Sequence, residues 1–189
     1  MARAGLDRET IIRAAARIAE SEGLEKVTLA SIAAELNVKT PSLYNHVEGL
    51  PGVRQGLAIF GIRQLGERLG KAAMGKAGDD AIKDVGFAYV AFVREHPALY
   101  EATMTAPDFD DPVIMQASGE VVEILLRVLA YYQLEGEEAL HIVRGLRSLT
   151  HGYASLELKQ GFRMELSKDE SFRKLMDLFI RGLHASLTK

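Results

Sequence analysis

Between Thr28 and Val47 the apolar positions fall into two short helical patterns separated by a break. Leu29, Ile32, Ala33 and Leu36 recur at the spacing of one helix face, and Thr28 just before them is a residue type that caps a helix by accepting a backbone N–H. Asn37 tolerates the left-handed conformation of a tight turn, so ELNVKT reads as a turn rather than continuing helix. A second helix follows, with Thr40 expected as its cap and Pro41 at its first position, where a missing N–H costs nothing. Only Leu43 and Val47 face inward in it. Lys39, Thr40, Ser42, Tyr44, Asn45 and His46 form an outward face of hydrogen-bonding side chains, suited to a DNA major groove. The pattern is that of a helix-turn-helix, a shape that also occurs as a corner of helical proteins that bind no DNA. The alternative place for Tyr44 is a core position under the helix.

The same periodicity predicts helices along the rest of the chain, hence an all-α fold. Asp7 caps a first helix from Arg8 to Glu22, whose stripe of Ile11, Ile12, Ala15, Ile18 and Ala19 must pack on the helix-turn-helix, and Gly23 stops it. A long helix is expected from Pro51 to Met74 despite its glycines. Each interior glycine costs roughly 1 kcal/mol relative to alanine, so the pairs Gly52/Gly56 and Gly66/Gly70 imply either close helix packing or a bendable link. Asp80 to His96 reads as a central amphipathic helix, PALYEATMTA as a short one opened by Pro97, and Pro112 to Leu134 as a helix with Val113, Val121, Ile124, Leu125 and Val128 inward. Asp108, Asp110 and Asp111 lack the spacing and glycine of a calcium loop and read as a solvated loop whose Asp111 caps that helix. Two strips mark Glu137 to Lys159, one of Ile142, Leu146, Leu149, Tyr153 and Leu156, the other of Ala139, Val143, Thr150, Ala154 and Leu158. The last helix opens with a capping box of Ser167 and Glu170 and carries one wide apolar face. With small residues Gly152, Ser155 and Gly182 permitting close approach, these two helices read as half of a four-helix interface between two copies of the chain. The interface residues are expected to be Leu149, Gly152, Leu156, Phe172, Leu175, Met176, Phe179 and Leu183.

Composition narrows the class. The 189 residues suffice for one helical domain or a small domain with a larger one, and cysteine is absent, so no disulfide framework or thiolate metal site can form. No run is long and apolar enough to span a membrane, and MARAGLDRET lacks the apolar core of a secretory signal, so a cytoplasmic protein is expected. The net charge of −3 sits outside the first 54 residues, where seven basic side chains from Arg3 to Arg54 balance seven acidic ones. Without a broad basic stripe, DNA affinity should depend on a dimer and on specific contacts.

Residues 7 to 54 resemble the DNA-binding domain of the tetracycline-repressor (TetR) family of bacterial transcription regulators, through DRETIIRAAARIAESEG, LEKVTLASIAAELNV and TPSLYNHVEGLPGV. RSLTHGYASLEL, residues 147 to 158, is similar to the His-Gly signature of one C-terminal subtype, without the tryptophan many of its members carry upstream. The resemblance implies a helix-turn-helix domain over residues 1–50 and a ligand-binding, dimerising helical domain over 51–189. It also implies that Thr28, Tyr44 and His46 contact phosphates while Thr40, Ser42 and Asn45 approach base edges. Lys39-Thr40-Pro41-Ser42 departs from the common Ser-Lys-Gly-Thr, moving the cation back one place and stiffening the backbone at Pro41, so no base preference carries over.

The implied function is a homodimeric regulator, a repressor, that binds a palindromic double-stranded operator and is released by a small molecule bound in the body. The lining expected is Tyr89, Phe92, Tyr100, Met104, Phe109, Met115, His151 and Tyr153, a mostly apolar set that would also compose an ordinary core. No cofactor or metal is implied: the five histidines are scattered, and neither a phosphate loop nor a nucleophile elbow is present, so the chain does not read as an enzyme. The competing class is a helical dimeric adaptor that binds protein instead of DNA.

Overall fold

A computed structural model describes residues 6–106 and 108–187. Arg3 of the charge balance and Pro107 of the PDFDDP segment lie outside the described residues. The described residues form nine α-helices and no strand. They divide into two compact units that are discontinuous in sequence: the first takes residues up to Gln64 with His96–Ser118, the second Leu65–Glu95 with residues from Gly119 onward. The compact units therefore do not separate at residue 50.

In the first unit, α1 (Arg8–Glu22) starts where Asp7 accepts the Thr10 N–H at 2.7 Å and stops at Gly23, whose φ of 101° only glycine adopts easily. After a 3₁₀ turn over Leu24–Lys26 comes α2 (Leu29–Glu35), then Asn37 in the left-handed region at φ 52°, then α3 (Thr40–Leu43). The expected cap of α3 is displaced by one residue. The Ser42 N–H bonds the Lys39 carbonyl at 2.9 Å, so Lys39 is the cap and Thr40 already helical. Nor does α3 run to Val47: the N–H groups of His46 and Val47 both converge on the Leu43 carbonyl, at 2.9 and 3.1 Å, the shared acceptor of a helix end.

The long α4 (Gly49–Ala73) then begins. Its glycines answer to packing in both units. A Cβ on Gly56 would lie 2.3 Å from Ile12, and one on Gly61 would lie 2.9 Å from the Leu99 carbonyl oxygen; in the second unit, one on Gly66 would lie 3.0 Å from Val121. The first unit is completed by α6 (Pro97–Met104), which packs on α1, and by the start of α7 (Pro112–Leu129), capped by Asp111 through the Val113 N–H at 2.7 Å. Val113, expected inward, is 38% exposed, and its neighbour Ile114 is buried instead. Ile11, Ile12, Ile18, Ile32, Leu43, Val47, Val53 and Leu57 are buried in this unit.

The second unit is built around α5 (Gly78–Glu95), which packs on both α8 (Gly136–Leu158) and α9 (Lys168–Leu187). Ile82, Val85, Phe92, Val93, Leu146, Phe172, Met176 and Ile180 are among its buried apolar residues. α7 ends at Leu129, short of Leu134, because a 3₁₀ turn over Ala130–Tyr132 leads to Gln133 at φ 58°. At the start of α9, Ser167 accepts the Glu170 N–H at 3.2 Å, but the Glu170 carboxylate pairs with Arg173 and Lys174. Arg94 binds Glu157 at 2.9 Å and Asp169 at 2.8 Å, tying α5 to α8 and to the head of α9. Asp79, at the start of α5, accepts the Tyr132 hydroxyl and lies 2.8 Å from His184 Nε2. Tyr132's hydrogen bond holds the Asp79 carboxyl below its ordinary value, while burial first, then the Asp79 carboxylate, push the Tyr132 phenol up.

Candidate nucleic-acid interface

The helix-turn-helix is held by few, deeply buried anchors. Leu43 has no exposure and Val47 5%, so the segment 39–47 is fixed by two side chains and the others are displayed. Tyr44 is 61% exposed, which removes it from the core. Lys39, Pro41 and Asn45 are exposed, and Thr40, Ser42 and His46 half-buried. All seven thus reach the surface on one short stretch.

At the start of α2, Thr28 Oγ1 accepts the Ser31 N–H at 3.0 Å and Ser31 Oγ accepts the Thr28 N–H at 2.9 Å, a reciprocal capping box. Ser31 also donates to the Lys26 carbonyl at 2.9 Å. The box needs Ser at the third position, where Glu or Gln is the commoner partner, and sequence reading missed it.

Behind this face, three long-range hydrogen bonds made by two side chains tie α6 and the loop after it to α1 and α4. Glu20 of α1 accepts the Leu99 N–H at 2.9 Å, satisfying a donor in the first turn of α6, where His96 supplies no side-chain cap. The buried Gln55 of α4 gives its Nε2–H to the Asp108 carbonyl at 2.8 Å and takes the Asp108 N–H at 3.2 Å on Oε1. No local pattern reveals either, since the partners lie 79 and 53 residues apart. His46 and Arg8 line a polar cleft of about 480 Å³ with Glu48, Asp108 and Asp111. The Thr10 N–H lowers the Asp7 carboxyl and the Val113 N–H that of Asp111, so both caps stay ionised well into acid. Of the three aspartates, Asp108 accepts the Asp110 N–H at 2.9 Å and Asp111 caps α7, so these two carboxylates are engaged by their own segment. Among the described residues no group of three His, Asp or Glu is placed to hold a metal.

The expected ligand lining is not gathered in one unit. Tyr100, Met104, Phe109 and Met115 belong to the first unit and Tyr89, Phe92, His151 and Tyr153 to the second. Phe109 and Met115 are 54% and 60% exposed, on a loop and on the outer side of α7, where they enclose nothing. Tyr89, Phe92, Tyr100 and Tyr153 are buried core residues, Tyr153 with its ring 4.9 Å from Phe172 and its hydroxyl donating to the Lys168 carbonyl. Met104 and His151 are half-buried.

The expected interface residues differ in their exposure within one chain. Phe172, Met176 and Leu183 are at most 3% exposed, because this edge of the wide α9 face is turned into the unit's own core. Leu149, Leu175 and Phe179 are half-buried, Leu156 is 52% exposed, and a Cβ on Gly152 would meet nothing within 4 Å. Leu178, at 59%, belongs with this outward edge and was overlooked.

Among the described residues no helix is long and apolar enough to cross a membrane.

The family profile described as "Bacterial regulatory proteins, tetR family" matches residues 11–46, and "Tetracyclin repressor-like, C-terminal domain" matches residues 82–179. The uncharacterized HTH-type transcriptional regulator YobS of Bacillus subtilis is 36% identical over 182 residues, covering 96% of this chain and 94% of its own. An uncharacterized HTH-type transcriptional regulator of Mycobacterium tuberculosis is 31% identical over 186 residues, covering 98% of this chain and 85% of its own. A protein of unknown function from Rhodococcus sp. RHA1 shares the fold with a TM-score of 0.81 at 21% identity, over 94% of this chain and 95% of that one. These profiles and the two regulators describe transcription factors, not enzymes. The helix-turn-helix, the helical body behind it and these matches make the chain a DNA-binding transcriptional regulator of the TetR family.

Proposed function

We propose that the protein is a cytoplasmic repressor that binds a palindromic operator as a homodimer and leaves it when a mostly apolar small molecule binds. The observation that carries the DNA reading is the display of Lys39, Thr40, Pro41, Ser42, Tyr44, Asn45 and His46 above two buried anchors. In this reading residues 1–50 read DNA and 51–189 serve dimerisation and response. Thr28, Tyr44 and His46 take phosphates; Thr40, Ser42 and Asn45 take base edges; and Lys39 adds charge at the rim. The exposed edge of α8 and α9, with Leu156, Leu178 and the open Gly152, supports a two-fold partner. Two recognition segments so related sit about 34–36 Å apart, or a multiple of it, and read half-sites of one repeat.

Selection of bound fragments from random-sequence DNA across a salt series tests this. A palindrome should be enriched, with affinity falling steeply as salt rises. Lys39→Ala should weaken binding to all sequences alike and reduce the salt slope by about one, whereas Asn45→Ala should relax selectivity at particular bases. Absence of any enriched sequence from a dimeric preparation would sink the proposal.

A further inference from the structure

Within the first unit, α1 is held at two points: against α4 where Ile12 meets Gly56, and against α6 where Glu20 takes the Leu99 N–H at 2.9 Å. Between them along α1 comes Ala16, buried and the smallest side chain lining the groove. The groove is a cleft of about 520 Å³, with Ala16, Phe60 and Leu99 lining it and Arg13, Arg17 and Gln64 beside them. That volume falls in the usual range for small-molecule sites, roughly 300–1,000 Å³.

The walls specify the chemistry of an occupant. The Arg13 guanidinium lies over the Phe60 ring, 5.6 Å from its centroid, so one face of the ring is already capped by a cation and a flat occupant meets the ring at its remaining edge and the guanidinium plane together. Arg13 pairs with Glu9 at 2.7 Å and Arg17 with Glu35 at 3.0 Å, but both arginines are more than half exposed. Ion pairs so exposed contribute little, and their arginines can turn to an incoming anion at small cost. Glu20, the acidic residue of the wall, is occupied by the Leu99 N–H, with His96 Nδ1 3.9 Å away. The cleft thus favours an anion over a cation.

We infer that this cleft is a binding site for a small aromatic carboxylate, its ring against Phe60 and its carboxylate on Arg13 and Arg17. The inference deepens the ligand-responsive reading above and rests on it for its consequence. An occupant wedged beside Ala16 acts on the spacing of α1 from α4 and α6. Since α1 packs directly on α2, that spacing sets where the helix-turn-helix is held. Occupancy therefore lowers operator affinity, and operator binding reciprocally weakens the ligand.

The test is an NMR titration of the full chain with 2-naphthoate, with neutral 2-naphthalenemethanol as comparison. The amides of Ala16, Ser21, Gln64 and Leu99 should shift together and saturate, with the neutral analogue at least about tenfold weaker. Arg13→Gln with Arg17→Gln, both at exposed positions, should bring the carboxylate down to the neutral level, and Ala16→Leu should abolish both. No saturable shift, shifts centred on Tyr89, His151 and Tyr153 instead, or an unchanged carboxylate preference in the arginine variant would overturn the site. Saturating 2-naphthoate should weaken operator binding at least about fivefold; binding in the cleft with unchanged operator affinity would overturn the coupling. Failure to select any operator sinks the DNA reading and leaves the cleft titration as an independent result.

Discussion

A single methyl group separates two glycines of very different consequence. On Gly61 a Cβ would meet the Leu99 carbonyl oxygen at 2.9 Å and Thr103 Cγ2 at 2.7 Å, and a backbone oxygen cannot rotate away. Overpacking costs about 1–3 kcal/mol against a gain of about 1 kcal/mol in helix propensity. Gly61→Ala should therefore lower stability by up to about 2 kcal/mol in urea unfolding. Gly119 lies in α7 with nothing within 4 Å of its Cβ position, so Gly119→Ala should raise stability by about 0.5–1 kcal/mol in the same assay. Asp79 carries a pH dependence. Its carboxyl is held below its ordinary value, so the stabilisation is fully present above the unfolded carboxylate's pKa, about 4. It is lost as pH falls through the lower folded value. In thermal unfolding, the advantage of the native chain over Asp79→Asn should hold at pH 6 and shrink toward pH 3. At this scale the sequence was legible at several local positions, where Asp7, Thr28, Asn37 and Asp111 occupy their expected places, but not at the Ser31 half of the Thr28 box or at Lys39, which caps α3 in place of Thr40. Glu20 and Gln55 were not legible, because each meets a backbone group brought to it only by the folded chain.

Among the helices, α8 and α9 show how much a periodic pattern can and cannot say. Both were expected as helices within a residue or two of their bounds, since long runs of spaced apolar residues admit little else. Which part of a wide face turns inward is another matter. Phe172, Met176, Ile180 and Leu183 lie against the unit's own core while Leu178 is exposed, and all are equally apolar. The pattern fixes an angle around the axis but not the neighbour that covers it. If a second copy covers the outward edge, Leu156→Glu with Leu178→Glu should give a folded monomer in sedimentation at micromolar concentration. A dimer that persists would move the interface elsewhere. The end of α3 was illegible for a different reason: a helix this short has its boundary set by which carbonyl its last N–H groups share.

The molecule as a whole sorts its sequence differently from its expected functional parts. The helix-turn-helix was legible from residues 28 to 47 alone, yet the compact unit that contains it also takes α4 to Gln64, α6 and the first turns of α7. The family's two profile matches share this view of the chain as a head followed by a body, ending and starting at residues 46 and 82. The compact units are drawn along different lines. The discontinuity bears on transplantation: a chimera that joins residues 1–50 to a foreign body leaves behind Gly56 beneath Ile12, the Leu99 N–H that Glu20 binds, and the Gln55 amide that grips Asp108. Such a graft should melt well below the parent, whereas one that carries residues 96–118 along with 1–64 should keep its melting temperature. The compact unit that carries the helix-turn-helix is thus two pieces of chain, and a recombinant between relatives is expected to keep its stability only when both pieces come from the same parent.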